Sequence, residues 1–239
     1  PTDAEPMMDT AEDAKASHGV DVLTPVPAEE GGMIVGEDAE QDGSAPDAME
    51  AVPVPDSMRN GFNGHVVGIG ASAGGLEALE QLFDSMPSGT GAAFVVVQHL
   101  SPDHKSLMAN LLARHTSMPV VTVRDAMELE AETIYLIPPG NLMTLSKGQL
   151  RLTPKNPKVL SLPIDLFFSS LAREFRDRCI GVVLSGTGSD GTRGAVVIND
   201  AGGLLLAQDP ENAKFDGMPR SVIATGPVSY THLRAHETV

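Results

Sequence analysis

The sequence predicts an α/β protein built on a doubly wound, mostly parallel sheet. Two observations carry that prediction. Short apolar runs alternate along the chain with segments whose apolar residues recur at helical spacing, the pattern of repeated strand–helix–strand units. One of those runs, Ala92 to Val97, is continuously apolar rather than alternating, as a strand buried on both faces must be. Right-handed crossovers then bring the C-terminal ends of the strands to one edge, where open sheets of this kind hold their sites.

The elements follow in order. Strand His65–Ile69 runs into the glycine turn "GASAGG". Leu76 to Met86 is helical, with Leu76, Leu79, Leu82 and Phe83 on one face. Gly89 and Gly91 mark a loop before strand Ala92–Val97. Ser106 to His115 is helical through Leu107, Met108, Leu111 and Leu112. Val120–Val123 and Thr133–Ile137 are strands, the second ended by Pro138-Pro139-Gly140, and Asn141 to Leu152 forms a small hairpin. Pro163 to Phe175 is a helix with a broad apolar face, and Cys179–Leu184 is a strand entering the loop "SGTGSDG". Gly191–Ala201 and Gly203–Ala207 complete the series as helix and strand.

Composition places this unit within the chain. Of 239 residues 41% are hydrophobic, enough for one good core. The net charge of −16 is unevenly spread: residues 1–60 hold 15 Asp/Glu against 2 Lys/Arg, and the remainder holds 17 against 14. Residues 1–60 contain no aromatic residue and too few apolar groups to offset ordering entropy, so they read as a disordered acidic segment. The nearly neutral remainder has no basic stripe for nucleic acid. No apolar run reaches the roughly 18 residues of a membrane span, and the acidic start does not resemble a signal peptide. A single cysteine, Cys179, suits a reducing compartment and reads as a small buried residue. His104 and His115 match no common zinc spacing and read as surface residues.

The turn "GIGASAGG" fits two unrelated templates. Gly68-x-Gly70-x-x-Ala73 matches a dinucleotide fingerprint, and Gly70-x-Ser72-x-Gly74 matches a nucleophile elbow. A third reading makes the glycines mere spacers for close helix–strand packing. The dinucleotide template wants an acidic residue about 20 positions on, at the end of the second strand. That strand ends in Gln98-His99, and the nearest acid, Asp103, lies beyond Pro102. Three polar residues do fall at strand C-terminal ends: Ser72, His99 and Asp190. Together they are what acyl transfer needs: a hydroxyl nucleophile, an imidazole to take its proton and a carboxylate to orient the imidazole. Glycine-rich turns could present N–H donors to an oxyanion. The order Ser, His, Asp is not that of α/β-hydrolases, where the acid precedes the histidine.

That order, with the local motifs, resembles the catalytic domain of chemotaxis protein-glutamate methylesterases, the CheB-type family. The resemblance runs from about His65 to Val228 through "GIGASAGG", "VVVQHLSPDH", "YLIPPGN", "GVVLSGTGSDG" and "FDGMPRSVI". It implies a three-layer α/β/α fold and a cytoplasmic hydrolase without metal or cofactor. The reaction implied is removal of γ-glutamyl methyl esters from chemoreceptors or another signalling protein, with deamidation of receptor glutamines as a second activity. By position it implies Ser72 as nucleophile, His99 as base and Asp190 as orienting acid. The N–H groups of Ala73 and Thr187 then form the oxyanion hole, and Phe215, Gly217 and Met218 lie in a loop at the cleft rim.

Two departures accompany the resemblance. Residues 1–60 are too short and polar for the receiver domain that single-protein members carry. The core is closest to the form fused ahead of a methyltransferase and sensory domains, so the domain plan is an acidic segment (1–60), a catalytic domain (61–228) and a non-family tail (229–239) that reads as an adaptor or assembly artefact. A catalytically silent docking or sensory module is the alternative function. Neither the substrate protein nor the oligomeric state is legible in the sequence.

Overall fold

The computed structural model describes residues 61–99, 107–226 and 228. The expectations for residues 1–60, for His104 and for the tail 229–239 lie outside the described residues. Within them, six parallel strands form one sheet: β1 (Val66–Ala71), β2 (Ala93–Gln98), β3 (Val120–Thr122), β5 (Thr133–Leu136), β8 (Cys179–Val183) and β9 (Leu204–Ala207), in the spatial order β3-β5-β2-β1-β8-β9. The chain builds outward from β1 toward β2 and β5, then returns to β1's other side with β8 and β9. The order thus reverses at β1, and its C-terminal end is the switch point at which such sheets bind ligands.

Both faces of the sheet are covered, which makes the three layers. On one face α1 (Gly75–Asp84) and α2 (Met108–Leu112) pack Leu79, Phe83, Met108 and Leu112 against Ile69, Phe94, Val96 and Ile134. On the other, α3 (Pro163–Phe175), α4 (Thr192–Asp200) and α5 (Gly217–Ile223) contribute Phe167, Phe168, Leu171, Ile198, Met218 and Val222. Each such large apolar side chain taken out of water contributes about 1.5–3 kcal/mol. Beside α3 a small antiparallel sheet, β4 (Met127–Glu128), β7 (Gln149–Pro154) and β6 (Asn141–Ser146), adds Met143, Leu145 and Leu150 to the same core. The expected hairpin is therefore two strands of three. A two-residue strand such as β4 leaves no periodicity to read.

The glycines of β1 have a packing role. A Cβ on Gly68 would stand 2.9 Å from Leu171 Cδ2, and one on Gly70 would stand 2.5 Å from Ile164 Cγ2. Their absence lets α3 lie directly on the central strand. Both glycines lie inside β1 and face α3, not the N-terminus of α1 where a fingerprint would seat a pyrophosphate, so the packing reading holds for these two positions.

Candidate active site

Strand register creates the site. β1 and β2 are parallel neighbours with Ala71 opposite Gln98, so the next residue of each, Ser72 and His99, stand side by side past the sheet edge. β8 flanks β1 on the other side, and its exit loop carries Asp190. The Ser72 hydroxyl lies 3.1 Å from His99 Nδ1, and His99 Nε2 lies 2.7 Å from Asp190 Oδ2. A carboxylate only accepts, so Nε2 carries the proton and donates to Asp190. The neutral ring then offers Nδ1 as acceptor for the serine O–H.

The nucleophile turn is fixed from below. Gly74 adopts φ +72°, a left-handed conformation that turns the chain from β1 into α1. Ser185, at the end of β8 and 1% exposed, is the knot beneath it. Its carbonyl accepts the Ser72 N–H (3.0 Å), and its hydroxyl donates to the Ala73 carbonyl (2.9 Å) while accepting the Phe215 N–H (3.0 Å). Its own N–H donates to the buried Gln208 side chain (2.8 Å).

Asp190 is held just as firmly. It is 3% exposed, and α3 supplies its partners: the Ile164 N–H donates to Oδ2 and the Asp165 N–H to Oδ1, each at 3.0 Å. The carboxylate thus closes the N-terminus of a helix whose first residue is Pro163 and whose cap residue, Leu162, makes no side-chain cap. A negative group there satisfies orphan N–H donors and meets the positive end of the helix dipole. The Asp165 side chain is itself buried at 8% exposure. Burial, with the nearby Asp190 charge adding to it, raises its pKa above the ordinary carboxylate value, against the N–H groups of α4 that lower it.

The sequence-predicted residues fare unequally. Ser72, His99 and Asp190 come together in one hydrogen-bonded chain. Ala73 and Thr187 lie in the two turns that flank Ser72, and among the described residues neither N–H has an acceptor. Phe215 is exposed on the surface and its N–H bonds Ser185. Met218 is not a rim residue: it is fully buried. The "FDGMP" segment is not a loop throughout either, because Gly217 and Met218 open α5. Pro219 hid that helix from the sequence, although proline is well tolerated in a first turn. His115 does lie near the surface, 2.9 Å from Asp84 Oδ2. Ser185, Gln208 and Asp165 went unread. Ser185 opens the "SGTGSDG" loop, and a small polar residue at a central strand end was the available signal.

A serine, histidine and aspartate joined in this way at the switch point of a doubly wound sheet is an arrangement used by serine hydrolases. Comparison with known proteins narrows the class. Residues 67–238 match the family model described as CheB methylesterase, and the chain belongs to that family. A protein-glutamate methylesterase/protein-glutamine glutaminase of Anaeromyxobacter dehalogenans is 37% identical over 164 residues, covering 68% of this chain and 48% of its own. An uncharacterized 104.1 kDa protein of Rhodobacter capsulatus is 65% identical over 119 residues, 50% of this chain and 12% of its own. The crystal structure of the Thermotoga maritima CheB methylesterase catalytic domain aligns with a TM-score of 0.64 at 29% identity, over 70% of this chain and 92% of that one. The chain spans about half the length of the curated methylesterase from Anaeromyxobacter and far less of the Rhodobacter protein. Among the described residues no helix is long and apolar enough to cross a membrane.

Proposed function

We propose that this chain is a serine esterase that removes methyl groups from γ-glutamyl methyl esters on a chemoreceptor or related signalling protein in the cytoplasm, and that it also deamidates glutamine at such positions. The observation that carries the reading is the continuous chain from Ser72 through His99 to Asp190. In the proposed reaction Ser72 Oγ attacks the ester carbonyl carbon while its proton passes to His99 Nδ1. The imidazolium is stabilised through Nε2–H by Asp190, whose own charge is held by two main-chain N–H groups. The N–H groups of Ala73 and Thr187 receive the oxyanion, where such donors act on charge that develops only in the transition state. Collapse of the tetrahedral intermediate returns the proton from Nδ1 to the departing methoxide, releasing methanol. Water, deprotonated by the same nitrogen, then frees the glutamate and restores Ser72. Attack on a glutamine amide follows the same path and releases ammonia.

The names of the relatives support this substrate class. The 104.1 kDa Rhodobacter relative supports a place for the domain within a longer polypeptide. The test is methanol release from a methylated receptor cytoplasmic fragment. Ser72→Ala and His99→Ala should each lower the rate by about 10⁴ to 10⁶, and the double variant should be little worse than either, because a triad acts as one unit. Undiminished release by Ser72→Ala rules the serine mechanism out. A docking module would bind the fragment and release nothing.

A further inference from the structure

Two helices start beside the triad acid, and neither is capped by the side chain of its own cap residue. The cap residue of α3 is Leu162 and that of α4 is Gly191, and neither makes a side-chain cap bond. Each helix receives a carboxylate from the other segment instead. Asp190, one residue before the Gly191 cap of α4, accepts the N–H groups of Ile164 and Asp165 at the start of α3. Asp165, in the first turn of α3, accepts the Gly194 N–H of α4 through Oδ1 at 2.9 Å. Four residues are thereby cross-linked, with Asp165 bonding Asp190 through its main chain and Asp190's own helix through its side chain.

We infer that Asp165 is a positioning residue for the proposed hydrolysis, locking the first turns of α3 and α4 together so that Asp190 Oδ2 is aimed at His99 Nε2. This rests on the serine-esterase reading for its kinetic consequence, but not for its structural one. Two features set Asp165 apart from an ordinary helix cap. Its second oxygen, Oδ2, is buried and has no hydrogen-bond partner among the described residues, a costly arrangement for a residue serving stability alone. A Cβ at Gly194 would also stand 2.5 Å from Phe168 Cβ and 3.0 Å from the Asp165 carbonyl oxygen, so α4 is seated on α3 at a fixed height. In that seating the Asp165 bonds tie the loop that carries Asp190 to the first turns of both helices. Among the triad side chains, Asp165 hydrogen-bonds that of Asp190.

The test uses the full chain labelled with ¹⁵N-histidine. Ring ¹⁵N shifts distinguish the two neutral tautomers of His99 without any substrate. The wild-type protein should show Nε2 protonated and Nδ1 bare. Asp165→Ala should give a mixture of tautomers, with kcat for methanol release lower by about tenfold to hundredfold, the scale expected of a slight misalignment, and KM unchanged. Asp165→Asn, whose amide oxygen can still accept the Gly194 N–H, should restore both the single tautomer and most of kcat. Asp165→Ser, too short to reach Gly194, carries the same expectation as the alanine variant should that one not fold. A wild-type tautomer and kcat in the alanine or serine variant would overturn the inference. So would an asparagine variant as impaired as alanine, since charge rather than position would then be at work. A wild-type protein with the single Nε2–H tautomer but no methanol release would sink the esterase reading and leave the positional role of Asp165 supported by the tautomer data.

Discussion

Replacing Asp190 with asparagine changes one oxygen for an NH₂ group of nearly the same size, and the surroundings of Asp190 give that change a large effect. Oδ1 faces the Asp165 N–H at 3.0 Å, and Oδ2 faces both the Ile164 N–H at 3.0 Å and His99 Nε2 at 2.7 Å. An NH₂ in the first position meets the Asp165 donor head-on. In the second it meets the Ile164 donor and forces His99 to accept at Nε2, which moves the ring proton to Nδ1, where Ser72 can no longer give its own. Either orientation leaves at least one buried N–H without an acceptor, costing about 1–3 kcal/mol. For a domain of this size that is a fall in Tm of about 2–12 °C. The rate should fall by about 10⁴, because neither orientation keeps both the tautomer and the negative charge. Calorimetry and methanol release measure the two quantities on the same sample. An Asp190→Asn protein within 1 °C and within tenfold of wild type (about 1.4 kcal/mol in the barrier) would refute the reasoning about how this carboxylate is held.

Two further outcomes test the supports of the site. Gly186→Ala places a Cβ 2.1 Å from the sulfur of buried Met218 and 2.9 Å from Ser72 Cβ. Such overpacking costs about 1–3 kcal/mol, and methanol release should suffer more than Tm because the displaced atom belongs to the nucleophile; a fully active variant would show that Met218 moves aside freely. Glu132 receives the Thr90 hydroxyl and the Gly89 and Gly91 N–H groups on its carboxylate. The Thr90 bond is the largest of the causes that lower its pKa below 4.5. A depressed folded-state pKa stabilises above the unfolded value and is lost as the pH falls through the folded one. The Tm gap between wild type and Glu132→Ala should therefore be full at neutral pH and narrow below about pH 4.5 in thermal melts. A gap that does not change with pH would assign the effect to something other than the ionised carboxylate.

The legibility of the site followed from where its residues sit in the chain. Ser72, His99 and Asp190 each follow an apolar run, and in a parallel sheet strand ends gather at one edge whatever lies between them. The order of the strands was not needed, and the in-register pairing of β1 with β2 did the rest. Helix α3 was readable to its ends because Pro163 opens it and its apolar face is broad. Asp165 was not readable as part of the site. Its importance depends on the start of α3 meeting a loop 25 residues further on, a contact that no local pattern encodes. Ser185 was hidden for the same reason, its partners lying at Ala73, Gln208 and Phe215. The packing role of Gly68 and Gly70 also needed α3 in place, since only its Leu171 and Ile164 side chains show what a Cβ there would meet.

Labelling by a fluorophosphonate probe, read by peptide mass spectrometry on the full chain, tests the central claim most directly because it asks whether Ser72 is activated without requiring the natural substrate. Ser185 and Ser189 lie in the loop that carries Asp190 and Ser161 lies two residues before α3, and among the described residues none of the three bonds a histidine. Covalent modification should therefore fall on Ser72 alone, at a rate that drops sharply in His99→Ala. Modification of another serine, or equal labelling of Ser72 with and without His99, would contradict the account.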